Sequence, residues 1–190
     1  MRGDVIFDLD GTLVDSCGVC VEILTGMLRD RGSTHTIDPA GARFLMSHGG
    51  ARMVSELLGP SCRDPEQELQ EFRRRYRDYR TPPEALFPGV FAGLTRMRDA
   101  GFRLSICSNK PQDLCESTTQ QTGIAHFFDK IVGGAEGRAP KPAPDLLELV
   151  MQGVGARRES CIFVGDSELD YAIARDAGLP FVLMTYGYAE

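Results

Sequence analysis

The amino-acid sequence predicts an α/β protein: a doubly wound parallel sheet of at least five strands, interrupted after its first strand by an all-helical insert. Three observations carry this prediction. A short apolar run, Val5-Ile6-Phe7, opens the chain. The stretch from about residue 16 to residue 82 then reads as helices only. From Phe87-Pro88-Gly89 onward, strand-like and helix-like segments alternate, which implies parallel pairing through right-handed crossovers.

The opening segment Val5-Ile6-Phe7-Asp8-Leu9-Asp10-Gly11-Thr12 starts as a strand, then places two carboxylates two residues apart, followed by a glycine. Side chains alternate along a strand, so Asp8 and Asp10 are expected to share a face while Leu9 turns away. Two like charges so close call for a metal ion, with an attacking role for one carboxylate and a proton-transfer role for the other. After Asp15, Ser16 is placed to cap a helix running to about Arg31, on which Cys20, Ile23, Leu24, Met27 and Leu28 recur at helical spacing before Gly32 ends it. Asp38-Pro39 supplies the N-cap and first residue of a short second helix that stops around Ser47-His48-Gly49-Gly50. A third helix runs from about Ala51 to Leu58 and is closed by Gly59-Pro60. Asp64-Pro65 repeats the start signal for a fourth, which reaches roughly Arg80 before Thr81-Pro82-Pro83 breaks it. The expected division is therefore residues 1–15 plus 83–190 for the sheet domain and 16–82 for the insert.

In the second part, Val90 to Ala100 reads as a helix, Phe102 to Cys107 as a strand and Pro111 to Thr122 as a helix. A short strand over Lys130–Val132, a helix from Pro142 to about Gln152 and a strand over Cys161–Val164 follow. Glu168 to Ala177 is then helical and Phe181 to Met184 forms a last strand.

A length of 190 residues accommodates one sizeable core with a smaller insert, and a net charge of -6 argues against a large nucleic-acid footprint. A small anionic ligand remains compatible, because Lys, Mg2+ and backbone N–H groups act locally. Met1-Arg2-Gly3-Asp4 leads directly into a strand, and no apolar run approaches the roughly 20 residues of a membrane span, so a cytoplasmic location is expected. The six cysteines do not form a disulfide-framework pattern. Cys17-Gly18-Val19-Cys20 has metal-like or redox-like spacing, but no second pair accompanies it, and buried helical thiols are the expectation.

In an open parallel sheet, ligands bind outside the carboxyl ends of the strands, near the point where strand order reverses. That rule gives the scattered polar segments one location. They are Asp8-Leu9-Asp10-Gly11-Thr12, Ser108-Asn109-Lys110-Pro111, Lys141-Pro142 and Gly165-Asp166-Ser167-Glu168-Leu169-Asp170. Carboxylates, a hydroxyl and an ammonium converging at one sheet edge are the parts that metal-assisted phosphoryl transfer needs.

In these segments, together with Lys141-Pro142-Ala143-Pro144 and the closing Thr185-Tyr186-Gly187-Tyr188, the sequence resembles the haloacid dehalogenase superfamily over essentially its whole length. It is most similar to the branch of phosphatases with a helical (C1-type) cap inserted after the first strand of a Rossmann-like core, and there to phosphoglycolate phosphatases and their relatives. Members of that group usually continue into another strand or helix after the last segment, which bears on the cover of the edge strand and not on the chemistry. The resemblance implies Mg2+-dependent hydrolysis of a small phosphate monoester through an aspartyl-phosphate. Asp8 would attack phosphorus, and Asp10 would protonate the leaving alkoxide and then deprotonate water. Asp8, the backbone C=O of Asp10, and Asp166 would hold Mg2+, with Asp170 approaching directly or through water. Lys141 would touch both Asp8 and the phosphoryl group, while Ser108, Asn109 and the backbone N–H groups around Leu9, Gly11 and Thr12 would donate to its oxygens. Dehalogenases of the superfamily lack the second carboxylate, so Asp10 favours phosphate esters.

The same fold also serves phosphomutases of the β-phosphoglucomutase type, but the Ser-Asn-Lys-Pro and Tyr-Gly-Tyr segments resemble the phosphatase branch. Specificity is expected in the cap. His48 and Gly49, with Arg43 and Arg52 flanking the turn, are the candidates, and His48 is alternatively a polar residue in a glycine turn. Arg73, Arg74, Arg75, Arg77 and Arg80 share their helix with Glu66, Glu68, Glu71 and Asp78, so a solvated face is expected there. The expected partner is a small phosphorylated metabolite, with no nucleic acid or membrane, and the protein is expected to be a monomer or dimer.

Overall fold

In the computed structural model, which describes residues 3–188, five strands form a single parallel sheet. They are β1 (Asp4–Phe7), β2 (Arg103–Pro111), β3 (Lys130–Gly134), β4 (Cys161–Gly165) and β5 (Phe181–Leu183), in the order β3-β2-β1-β4-β5. The chain steps outward from β1 to β3, then returns to pair β4 with the other side of β1. The reversal of strand order therefore falls between β1 and β4, and the crevice it opens lies at their carboxyl ends.

Strand periodicity sorts the side chains into two cores, one on each face of the sheet. Val5 and Phe7 of β1, Leu104 and Ile106 of β2 and Val164 of β4 enter one core, with Leu94 from helix α5 (Val90–Asp99) and Cys115 from helix α6 (Gln112–Gln121). Ile6, Cys107 and Phe163 point the other way. They pack with Leu146, Leu147 and Val150 of helix α7 (Asp145–Val154) and Ile173 and Ala174 of helix α8 (Glu168–Asp176). Both faces of the central strands are covered, which fixes their position relative to the loops that follow them.

The remaining helices, α1 (Cys17–Asp30), α2 (Pro39–Met46), α3 (Gly50–Leu58) and α4 (Pro65–Asp78), form a second compact unit over residues 16–81, with Tyr188. The α/β unit comprises residues 3–15 and 82–187. The helix starts follow local chemistry. Asp38 accepts from the N–H groups of Ala40 and Gly41, and Asp64 from those of Glu66 and Gln67, each with proline at the first helical position. Ser16 does not cap α1 with its side chain. Instead the Cys17 N–H donates to the Tyr188 hydroxyl at 3.0 Å, with Ser16 Oγ 3.5 Å from the same oxygen. Cys20, Ile23, Leu24, Met27 and Leu28 of α1 are buried. Arg31 forks onto buried Glu68, and Arg74 and Arg75 pair with Glu71, Asp78 and Asp30. The arginine-rich face of α4 is thus charge-balanced within its own unit.

Two element boundaries differ by three residues or more from those predicted. β2 runs on to Pro111, because a register shift after Cys107 lets Pro111 pair with Gly134. α7 begins at Asp145 and not at Pro142, since residues 141–144 are taken up by a turn in which the Ala143 N–H donates to the Pro140 carbonyl. Cys17 and Cys20 are both buried. Among the described residues, no helix is long and apolar enough to cross a membrane.

Candidate active site

β1 ends at Phe7, before the carboxylates. The ladder is continued by one bond, from the Asp8 N–H to the Val164 carbonyl at 2.9 Å, after which the chain closes a tight turn: the N–H groups of Leu13 and Val14 both donate to the Leu9 carbonyl. The expectation that Asp8 and Asp10 share a strand face is therefore corrected, because Asp10 lies beyond the strand, in the turn. Leu9 is fully buried and anchors it.

The two carboxylates meet different lysines. Asp8 is buried, and one of its oxygens lies 2.8 Å from Lys141 Nζ. Half-exposed Asp10 receives both of its contacts from the ammonium of Lys110, at 3.1 and 3.2 Å. Lys110 stands inside the Ser-Asn-Lys-Pro segment, but nothing in the sequence pairs it with a residue so distant along the chain.

Lys141 is itself held in place. Its N–H donates to Asn109 Oδ1 at 2.6 Å, and Asn109 Nδ2 donates back to the Lys141 carbonyl at 3.2 Å. The Asn109 amide thus grips the Lys141 backbone from both ends. The Lys141 ammonium then spans Asp8 and Asp170, lying 2.6 Å from Asp170 Oδ1. Burial works against this ammonium, but the two carboxylates outweigh it and hold its pKa above the ordinary lysine range.

Asp170 is fully buried, and its second oxygen is also engaged. It accepts from Ser167 Oγ at 2.6 Å, from the Ser167 N–H at 3.0 Å and from the Asp166 N–H at 3.3 Å. Ser167 and Asp170 form a capping box at the start of α8, a pairing the Ser-x-x-Asp spacing could have disclosed. Asp170 thus holds the Lys141 ammonium and starts α8 at once.

Asp166 is buried and accepts from Thr12 Oγ1 at 2.9 Å. Gly11, at φ 84°, passes so close that a Cβ there would lie 2.2 Å from Asp166 Oδ2. Glycine is needed at this position for both its backbone angle and its lack of a side chain. Its N–H donates to the Val14 carbonyl at 2.9 Å, so the expected donation from Gly11 to a phosphate oxygen is corrected: that hydrogen closes the turn. Ser108, buried at the far end of β2, accepts from the Lys110 N–H at 3.3 Å.

One oxygen from each of Asp8, Asp166 and Asp170 can be chosen so that all three lie within 4.8 Å of one another. Three buried carboxylates face one buried ammonium, an imbalance of two negative charges when all are ionised. Asp8 is raised to about 7: burial pushes it up, Lys141 pulls it down, and the neighbouring Asp170 and Asp166 carboxylates push it up again. Lys141 gains from two carboxylates, whereas Asp8 has only a share of one ammonium. The Asp8 oxygen beside Lys141 is moreover a buried acceptor with no aligned hydrogen-bond donor. An all-oxygen donor set, two negative charges in excess and an under-satisfied buried carboxylate fit a hard divalent cation.

In the helical unit, His48 Nδ1 lies 2.8 Å from Glu56 Oε2, and Arg52 Nε donates to Glu56 Oε1 at 3.0 Å. The hydrogen bonds from Arg52 and then His48 hold the Glu56 carboxyl below its usual range. Arg43 places its guanidinium 5.2 Å from the centre of the Tyr188 ring. Gly49 and Gly50 adopt φ of 59° and 54°, the turn from which α3 starts. His48 and Arg52 are thus brought together on one carboxylate, and Arg43 is engaged elsewhere in the unit.

Residues 5–184 match the haloacid dehalogenase-like hydrolase family. The phosphoglycolate phosphatase of Rhodobacter capsulatus is 35% identical over 199 aligned residues, covering 100% of this chain and 87% of that protein. The plasmid phosphoglycolate phosphatase of Cupriavidus necator is 34% identical, covering 97% of this chain and 81% of that one. A crystal structure of a predicted phosphoglycolate phosphatase from Haemophilus somnus superposes with a TM-score of 0.82 at 27% identity, over 98% of this chain and 87% of that chain. With a family match spanning nearly the whole sequence and a five-stranded sheet that gathers its carboxylates at the switch point, the chain belongs to the haloacid dehalogenase-like hydrolase family, as one of its phosphatases.

Proposed function

We propose that the protein hydrolyses a small phosphate monoester of the phosphoglycolate type, with Mg2+, through a phospho-aspartate formed on Asp8. The observation that carries this reading is the buried Asp8 carboxylate, held against Lys141 beside Asp166 at the reversal point of the sheet. An Asp8 oxygen attacks phosphorus, the ester P–O bond breaks, and the leaving alkoxide takes a proton from Asp10. Water then attacks the phosphorus of the phospho-aspartate as Asp10 accepts its proton, releasing inorganic phosphate and restoring Asp8.

Lys141 keeps Asp8 from swinging away and supplies positive charge where the transferring group becomes crowded with oxygens. Its place is fixed from two sides, by Asn109 on its backbone and Asp170 on its ammonium. Lys110 fixes the carboxylate of Asp10 by contacting both of its oxygens. Asp8 and Asp166 would hold Mg2+, which when bound neutralises phosphate charge and orients the ester for in-line attack.

Similarity to the two phosphoglycolate phosphatases supports the substrate class. The test is phosphate release from a panel of small esters, including phosphoglycolate, in EDTA and in Mg2+. Mg2+-dependent release with phosphoglycolate among the preferred esters is expected. Release undiminished in chelator removes the metal role, and a sugar phosphate returned as its isomer without free phosphate removes the hydrolytic one.

A further inference from the structure

We propose that Gly187 and Tyr186 are positioning residues for the metal-binding carboxylate of Asp166, the turn over residues 184–187 forming the outer wall of a slot that holds this carboxylate in one orientation. The inference rests on the Mg2+ reading above and assigns a function to the Thr185-Tyr186-Gly187 stretch, which no step of the hydrolysis uses.

The first observation concerns why residue 187 is glycine. Its φ is not in the left-handed region, unlike those of Gly11, Gly101, Gly123, Gly155 and Gly178, so the backbone alone admits any residue there. What excludes a side chain is Asp166. A Cβ on Gly187 would stand 2.2 Å from Asp166 Cβ, 2.6 Å from its Cγ and 2.4 Å from Oδ2. The opposite wall is Gly11, whose Cβ would stand 2.2 Å from the same Oδ2. Two segments separated by nearly the whole length of the chain therefore clamp one carboxylate, leaving no space on either side for so much as a methyl group.

The second observation is that the walls are tied together. Thr12 Oγ1 donates to Asp166 Oδ1 at 2.9 Å, and the Tyr186 hydroxyl donates to the Thr12 carbonyl at 2.8 Å. The Tyr186 ring rests against Phe87, with centroids 4.5 Å apart. The turn is anchored behind Asp166 by the Met184 N–H, which donates to the Gly165 carbonyl at 2.8 Å, and is closed by the Gly187 N–H on the Met184 carbonyl at 3.2 Å. A carboxylate's terminal torsion is otherwise soft and nearly two-fold. Confinement between two glycines, with a hydroxyl on one oxygen, removes that freedom before the cation arrives.

Mg2+ demands near-ideal octahedral geometry, so a ligand that must first be oriented binds it less well. The experiment uses the full chain in three forms: wild type, Gly187→Ala and Tyr186→Phe. Mg2+ affinity is read by calorimetry, and the Mg2+-induced rise in melting temperature is measured against an EDTA control. Gly187→Ala is expected to raise the Mg2+ Kd roughly 10-fold or more, the range for losses of groups that orient a metal ligand, and Tyr186→Phe, which acts one step removed through Thr12, to raise it by a smaller, measurable factor. The EDTA melting temperature of Tyr186→Phe is expected to stay close to wild type. Excess Mg2+ is expected to return kcat on an aryl phosphate towards the wild-type value, which a merely structural defect does not permit.

Wild-type Kd in folded Gly187→Ala overturns the proposal. If that variant does not fold, Tyr186→Phe decides, and an unchanged Kd there overturns it equally. A wild type that binds no Mg2+ removes this inference and the metal reading together. A wild type that binds Mg2+ but releases no phosphate removes only the proposed hydrolysis.

Discussion

Replacing the buried nucleophile candidate by its neutral isostere, Asp8→Asn, should abolish turnover and at the same time stabilise the metal-free protein at alkaline pH. Burial, opposed by Lys141 and reinforced by Asp170 and Asp166, raises Asp8 from 3.8 to about 7. The folded protein therefore keeps a proton up to about pH 7 that the unfolded chain releases near pH 4. A group whose folded pKa is raised contributes stability at low pH and loses it as pH rises through the folded value. Between those limits wild-type stability falls, and above about pH 7 the full penalty is present. Three pKa units at about 1.36 kcal/mol each give roughly 4 kcal/mol as an upper figure. For a chain of this length that amounts to a rise in melting temperature on the order of 10 °C. Asparagine has the same shape and cannot ionise, so the variant should lose this dependence. The assay is chemical or thermal unfolding of both proteins in EDTA at pH 5 and pH 8, and the stability difference should shrink by roughly 2–3 kcal/mol at the lower pH. Added Mg2+ should raise the wild type far more than the variant. A stability difference that is the same at pH 5 and pH 8, or a variant no more stable than wild type at pH 8, would refute the account of Asp8 as a buried carboxylate awaiting a cation.

Lys110→Met should slow hydrolysis of alkyl phosphates roughly 10- to 100-fold while affecting p-nitrophenyl phosphate much less, because a nitrophenolate needs no proton to leave; steady-state kinetics on the two ester classes checks this, and equal losses count against Lys110 as the residue that places Asp10. Lys141→Met leaves Asp8 and Asp170 buried without their shared ammonium, so calorimetry in EDTA at pH 8 should show a loss of about 3–5 kcal/mol, and unchanged stability would sink the shared-ammonium reading. In the helical unit, Arg31→Ala should strip buried Glu68 of its forked partner and lower stability by about 1–3 kcal/mol, measured by urea unfolding, with no such loss expected on replacing exposed Arg52.

The sheet and its order of elements were legible because both rest on strong periodic signals. Val5 and Phe7 enter one core and Ile6 the other, and β2 and β4 repeat that alternation. Asp38-Pro39 and Asp64-Pro65 announced two helices because a proline at the first helical position and an aspartate before it act locally. Ser16 misled for the complementary reason. Its apparent capping role is taken by Tyr188, whose hydroxyl reaches the start of α1 from the far end of the chain. The site was legible as an inventory and not as an arrangement. Asp8, Asp166, Asp170 and Lys141 were named from their segments, yet Lys110, which grips Asp10, carries no local sign of its partner. The resemblance puts the Gly11 N–H on a phosphate oxygen, whereas that N–H is consumed by the Val14 carbonyl in the turn.

At the carboxyl end of β2, adjacent residues divide the labour of positioning. Asn109 uses both ends of its amide on the backbone of Lys141, and Lys110 places its ammonium on the carboxylate of Asp10. Each fixes a residue from a different stretch of chain. Asp170 does the same from the β4 side, with one oxygen on Lys141 and the other on the backbone that carries Asp166. The reactive groups therefore come from the turn that follows β1 and from the 141–144 turn, while their coordinates are set from β2 and α8. Such an arrangement tolerates a charged cluster that is unfavourable by itself, because Lys141 and Asp10 are braced by neighbours whose own backbone belongs to β2 or to the start of α8. It also follows that substitutions at Asn109 or Asp170 should damage the site by displacing Lys141 without removing any group that touches phosphorus, and so should resemble one another more than either resembles the loss of Asp8.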